Sequence, residues 1–182
     1  MKRELTQELL KRLLDYDPET GVFTWRVRTP DLFRNTEKRP AERTCRQWNF
    51  CWAGTQAGSL NNEGYVQIEI FERSYKAHIL AWFWMTGLWP SDKIDHRDLT
   101  RNNNKWDNIR KATHSQNKAN MTARCDNELG VKGVRQVTSG NYIARITVLG
   151  KPIYLGTFTS AELASAKYAE AAQRHFGEFA RS

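Results

Sequence analysis

The sequence predicts an α+β chain in two parts, the second a small three-stranded antiparallel sheet packed on one helix. Three observations carry this. Short β-branched and aromatic runs ("VFTWRV", "YVQIEIF", "YIARI") lie beside turn signals such as "NNEG", "TSGN" and "LGKP". Helical patterns stand apart from them, at residues 4–15, in "AHILAWFWMTG" and in the Ala-rich "TSAELASAKYAEAAQRHFGEF". The pattern also changes near residue 130, where three short strands follow one another and a single helix closes the chain.

Taken in order, Leu5, Leu9, Leu10, Leu13 and Leu14 fall on one helical face, with Thr6 or a residue just before it as cap. "DPETG" is a turn and "VFTWRV" a strand. Residues 29–52 are polar, basic and without clear periodicity, which predicts a long loop or a DNA-facing excursion. "AGSL" and "YVQIEIF" flank the "NNEG" turn, and "RSYK" leads into an apolar helix that Gly87 and Pro90 end. Residues 121–129 link the two parts. In the last helix Thr159 or Ser160 is the cap, with Glu162 in the first turn.

At 182 residues, 40% apolar, with seven Trp, six Tyr and eight Phe, the chain can bury cores, which excludes wholesale disorder. Its net charge of +8 favours a polyanionic partner, nucleic acid or an anionic membrane surface. The richest apolar run is too short for a bilayer span, and the first residues lack a continuous apolar segment and a cleavage site. A cytoplasmic protein without signal peptide or membrane span is expected. Cys45, Cys51 and Cys125, an odd set with no CxxC pair, are expected to be reduced thiols, neither a disulfide framework nor a zinc site.

The chemistry concentrates in "IDHRDLTRNNNKWDNIRKATHSQNKAN". An Asp carboxylate and an Asn carbonyl are hard oxygen donors suited to Mg²⁺. A neutral His can take a proton from water, and a metal on a scissile phosphate stabilises the leaving oxygen. Arg110 is the cation whose planar fork best suits phosphate oxygens, with a plain surface role as its alternative. Asn102, Asn103 and Asn104 read as turn residues, and His78 is divided between packing and contact with the site.

Together, "IDH", "NNNKWDNIRKAT" and "SQNKAN" resemble the HNH endonuclease family, particularly phage and intron-encoded homing enzymes. The upstream "LLDYDPETGVFTW", "AHILAW" and "TGLWP" extend the resemblance over most of residues 5–120. It implies a ββα-metal (His-Me finger) module: two antiparallel strands, then a helix from about Thr113 or Ser115. His96 takes the place of the general base. Asn108, 12 residues on (108 − 96), takes that of the Asn that braces the loop. Asn117, 21 residues on (117 − 96), and Asp95 take those of the metal ligands, for one divalent ion, Mg²⁺ with Mn²⁺ as the alternative. The chain departs from the family at Ile79, where an Arg usually follows the His, so substrate contacts near residue 78 do not carry over.

Residues 130–158 hold Lys132, Arg135, Arg145 and Lys151 and no acid, whereas the following helix balances Glu162, Glu170 and Glu178 against Lys167, Arg174 and Arg181. Such a sheet can enter a major groove and contact phosphates; a solvated basic face is the alternative. "GVKGVRQ", "YIARI", "YLGTF" and "AAQRHFG" resemble the DNA-binding domain of plant ethylene-response factors (APETALA-type), over about residues 128–179. By position, the resemblance puts Lys132, Arg135, Arg145, Thr147 and Tyr154 among the DNA-contacting sheet residues. Lys132, Arg145 and Tyr154 replace Arg, Glu and Trp, and Val137 and Ser139 stand where the plant proteins have Arg and Trp, so their recognition sequence does not transfer.

The expectation is a metal-dependent endonuclease of double-stranded DNA, nicking or cutting both strands, with domains at 1–122 and 128–182. Lys151 joins the DNA-binding set, and a monomer is marginally preferred. From resemblance alone comes a homing or mobile-element role in a bacterium or phage-infected cell. The alternatives are a DNA-binding regulator with an inactive nuclease module and, more weakly, an RNA substrate.

Overall fold

The computed structural model describes residues 4–123, 127 and 129–181; Cys125 and part of the expected 121–129 linker lie outside them. The chain divides into two compact units, Met1–Arg110 and Lys111–Ser182.

In the first unit the Thr6 hydroxyl accepts from the Leu9 amide and caps α1 (Gln7–Leu13). The leucine periodicity predicted helix as far as residue 15. Instead Leu14 turns extended and opens β1 (Leu14–Asp17), in which Leu14 and Tyr16 point into the core while Asp15 and Asp17 face out. β1 pairs antiparallel with β2 (Val22–Trp25), Leu14 opposite Trp25. The alternation in "LDYD" overrides the helical period because the pairing satisfies its backbone groups.

Residues 29–52 are not irregular, as their composition suggested. A 3₁₀ turn at Pro30–Leu32 leads to a twelve-residue helix, α2 (Ala41–Trp52), buried through Ala41 and Cys45. β3 (Ser59–Leu60), β4 (Val66–Ile70) and β5 (Arg73–Lys76) form an antiparallel sheet in that order. α3 (Ala77–Thr86) follows β5 directly and stops at Gly87, whose φ of 73° is the left-handed cap that glycine adopts cheaply. β6 (Lys93–His96) pairs with β7 (Ile109–Ala112), the strand in which the unit boundary falls. Leu10, Leu13, Leu14, Phe23, Ile68, Ile70 and Leu80 form the centre of the core, with Ile94 and Ile109 bringing β6 and β7 into it. Each such side chain contributes ~1.5–3 kcal/mol by leaving water.

The second unit begins with the end of β7 and α4 (His114–Asn120), closed at its start by a capping box between Thr113 and Gln116. β8 (Val134–Gln136), β9 (Tyr142–Val148) and β10 (Lys151–Phe158) make a three-stranded antiparallel sheet with β9 central. Ser160 caps α5 (Ala161–Phe176), whose Ala164, Tyr168, Ala171 and Ala172 pack on Val134, Ala144 and Ile146. Gly133 makes this closeness possible: a Cβ there would lie 2.3 Å from the Arg145 carbonyl and from the Tyr168 ring. No helix among the described residues is long and apolar enough to cross a membrane.

Candidate active site

The β6–β7 pair ends in a twelve-residue connection, 97–108, too long for a tight turn, so its backbone must find partners in side chains. Asn108 makes three hydrogen bonds within it, two of them to backbone groups. Its Nδ2 donates to Asp98 Oδ1 (2.9 Å) and to the Asn103 carbonyl (2.8 Å), and its Oδ1 accepts from the Asp98 amide (3.1 Å). Asp98 also accepts from the Thr100 amide and from Asn103 Nδ2. Partial burial disfavours the Asp98 anion, but these donors outweigh it and hold its pKa below the ordinary value. Leu99 sits at φ 65°, a strained conformation for a side chain with a Cβ, held by the hydrogen bonds on either side.

Asn104 is the residue that sequence reasoning missed. It is buried, and its Oδ1 lies 3.3 Å from His96 Nε2. Since an amide oxygen only accepts, this contact makes Nε2 the protonated nitrogen and Nδ1 the basic one. The Asn104 backbone is pinned in turn from the N-terminal hairpin: Tyr16 donates its hydroxyl to the Asn104 carbonyl (2.7 Å), and Gly21 packs directly on the Asn104–Lys105 peptide. No local signal separates Asn104 from Asn102 and Asn103.

His96 is buried beside His78 from the start of α3, ring centroids 4.8 Å apart and nearly perpendicular. Tyr65 lies against both rings, at 5.2 and 6.1 Å. Burial pushes the His96 pKa down, against the opposing pull of Asn104, Asp98 and Asp95. Burial, then repulsion from Lys76 and from His96 whenever that ring is protonated, brings His78 down to about 3, so both rings are neutral near pH 7. His78 Nδ1 is buried without a hydrogen-bond partner among the described residues. Lys76, paired with Glu63 (3.0 Å), and Arg101 lie over the Tyr65 ring at 3.9 and 5.3 Å, and with Glu63 counted they still leave net positive charge at the same corner.

Asp95 and Arg110 face each other across the strand pair, both more than nine-tenths buried. Arg110 Nε and one terminal nitrogen approach Asp95 Oδ2, each at 3.2 Å. Arg110 is thus a buried partner of the carboxylate next to the candidate base. Asn117, the other expected metal ligand, is half-buried on α4 and belongs to the second unit, as do the sheet residues. Asp95 and an Asn side chain are hard oxygen donors, a set that suits an ion keeping several waters or phosphate oxygens. Among the described residues, no cluster of three or more His, Cys, Asp and Glu could hold a metal by itself. Cys45 is buried and Cys51 exposed, both free thiols.

On the C-terminal sheet the register decides which candidates share a face. Arg135 is opposite Ile143, Tyr154 opposite Arg145 and Pro152 opposite Thr147, so Arg135, Arg145, Thr147 and Tyr154 lie on one exposed side. Lys151 is opposite Val148 and has the other parity, at the hairpin end. Lys132 precedes the sheet; its ammonium donates to the Ala119 carbonyl at the end of α4, and burial brings its pKa down to about 8. Residues Lys132, Arg145 and Thr147 also line, with His114 and Lys118, a cavity of about 850 Å³, and no acidic residue is among those that line it.

Residues 75–119, which run from β5 through α3 and the β6–β7 pair to α4, match the HNH endonuclease family. An uncharacterized HNH endonuclease of Acanthamoeba polyphaga mimivirus is 35% identical over 92 residues, 50% of this chain and 47% of that protein. The chain therefore spans about half the length of the curated relative it matches. No solved structure matches the chain.

Proposed function

We propose that the protein is a divalent-metal-dependent endonuclease that hydrolyses phosphodiester bonds of double-stranded DNA. The observation that carries this is His96, a neutral imidazole whose tautomer is set by Asn104, beside the buried Asp95 and within the segment matching the HNH family. His96 accepts the proton of the attacking water through Nδ1. Its depressed pKa keeps it in the basic form at neutral pH. Asn108 and Asn104 fix the loop and the ring. Arg110 orients Asp95 through Oδ2, and Lys76 and Arg101 supply cationic charge for the approaching phosphates.

Asp95 and Asn117 would hold one divalent ion, Mg²⁺ or Mn²⁺, a pairing that rests on the resemblance of this stretch to the HNH motif. When bound, the ion supplies positive charge to the scissile phosphate and the leaving oxygen. The C-terminal sheet, with Arg135, Arg145, Thr147 and Tyr154 on one face in the manner of an ethylene-response-factor-like domain, adds affinity and register. A homing or mobile-element role and action in a phage-infected cell fit this reading by resemblance.

Plasmid nicking with Mg²⁺ tests it. Wild-type protein should convert supercoiled plasmid to the open circle, and His96→Ala should lose at least ~100-fold in rate. If both proteins leave plasmid intact yet shift it on a gel, the regulator reading replaces this one.

A further inference from the structure

The polar stretch between β2 and β3 resolves into α2, and the first unit ties that helix down tightly. Asn49 Nδ2 donates to the Arg28 carbonyl (2.9 Å), and its Oδ1 accepts from the Arg28 amide (2.8 Å). Cys45 Sγ donates to the same carbonyl. The Arg28 guanidinium lies 3.7 Å from the Trp48 ring centroid and 4.9 Å from that of Trp25, with Trp25 edge-on to Trp48. Burial among these rings brings the Arg28 pKa down to about 10. At the start of the helix, Asn35 Oδ1 accepts from the Ala41 amide; just beyond its end, the Gly54 amide donates to the Trp25 carbonyl. α2 is thus fixed at both ends and along its inner face.

Its outer face carries no such packing. Successive helical residues are about 100° apart, so Arg43, Arg46 and Phe50 fall within an arc of about 60° opposite Ala41, Cys45 and Trp48. All three are exposed, and Phe50 is 93% exposed, the most open large apolar side chain among the described residues. Among the described residues, neither arginine has an ion-pair partner. Residues 37–52 hold Lys38, Arg39, Arg43 and Arg46 against Glu37 and Glu42, a surplus of two positive charges. A helix anchored this firmly, with two bare guanidinium groups flanking a bare aromatic ring, matches a polyanion with apolar edges.

We infer that α2 is a second DNA-contacting element, separate from the candidate active site and from the C-terminal sheet. This rests on the proposed DNA substrate. The helix lies in the major groove, which is wide enough to admit one. Arg43 and Arg46 bind backbone phosphates, and Phe50 packs against sugar or thymine methyl groups, leaving water as it does so.

The experiment measures binding of the full chain to a fluorescein-labelled random-sequence duplex by anisotropy, in EDTA so that nothing is cut, between ~50 and ~200 mM salt. Arg43→Gln/Arg46→Gln should reduce the slope of log affinity against log salt by about 2, since each phosphate contact contributes about 0.9. Affinity at the lowest salt should fall at least ~10-fold. Phe50→Ala should weaken binding about 5–10-fold with its slope unchanged, which separates an apolar contact from an ionic one. Far-UV circular dichroism checks that both variants keep their fold. Wild-type affinity and slope in both variants would overturn the inference, leaving the nuclease reading intact. So would a Phe50-dependent dimer in sedimentation with unchanged DNA binding, because the face would then belong to a second copy. Failure of the wild type to bind duplex at all would take down the DNA reading itself and this inference with it.

Discussion

The histidine pair makes the stability of the first unit pH-dependent in a way that can be worked out from the structure. Folded His78 binds a proton only near pH 3, against 6.5 for an ordinary histidine. As pH falls, the unfolded chain therefore takes up this proton first, and stability falls with it. The contribution is fully present above about 6.5, declines below that, and levels off near 3. Between pH 8 and pH 5 the difference in proton binding amounts to about 2 kcal/mol from His78 alone. His96 shifts in the same direction and steepens the decline. All seven tryptophans lie between residues 25 and 106, so their fluorescence in urea follows the first unit alone. With EDTA present, the wild-type midpoint should drop by about 1 M urea from pH 8 to pH 5, and His78→Gln should remove most of that drop. Any fixed cost of losing the ring cancels, because two slopes are compared. A wild-type midpoint that stays flat, or a variant that keeps the full slope, would refute the assignment of a buried neutral His78.

Three further outcomes follow from the same site. Asn108→Ala removes three hydrogen bonds and leaves the Asp98 amide and the Asn103 carbonyl to find new partners. It should cost about 2–3 kcal/mol in urea unfolding and slow nicking, whereas a cost below ~0.5 would contradict the bracing role. Asp95→Ala leaves a buried guanidinium without its carboxylate and should cost about 3–5 kcal/mol; thermal unfolding of Asp95→Leu/Arg110→Met should recover much of that loss while nicking stays absent. Gly21→Ala places a methyl group 2.4 Å from the Asn104 carbonyl carbon at a φ of 74°. It should cost several kcal/mol and slow nicking through His96; wild-type nicking in a folded variant would disconnect the hairpin from the site.

The parts of the fold that local chemistry determines could be read in advance. Thr6, Thr113 and Ser160 cap helices because their hydroxyls reach amides within one turn, and Gly87 ends α3 because no other residue adopts its φ so cheaply. The C-terminal strands were legible from their turns and alternation. What could not be read depends on residues distant in sequence. α2 buries only small side chains, Ala41 and Cys45, and owes its position to Arg28, Trp25 and Phe33 from outside the helix. β1 continued the leucine period of α1, and only its pairing with β2 distinguishes strand from helix. The candidate site was marked in advance at Asp95, His96 and Asn108, by the HNH-like motif. It was illegible at Asn104, where three identical neighbours differ only in what the folded chain sets beside them.

The asparagine density of this region has a physical origin that unites these observations. A connection of twelve residues between two short strands has no ladder to satisfy its amides and carbonyls. Asn carries both a donor and an acceptor on a side chain short enough to bond nearby backbone, which is why it disfavours regular helices and suits such a loop. Asn103, Asn104 and Asn108 each serve this way, Asn103 by accepting from the Lys105 amide, and Asn104 has a second partner in the His96 ring. A serine could not give an oxygen and two N–H donors at once, and an aspartate would set a charge against the carbonyls of Asn102 and Asn103. The same burial that demands these bonds lowers the pKa of His96, so the bracing of the loop and the neutral state of the ring arise from a single feature. Opening the loop to solvent should therefore disturb the ring's orientation and its proton affinity together.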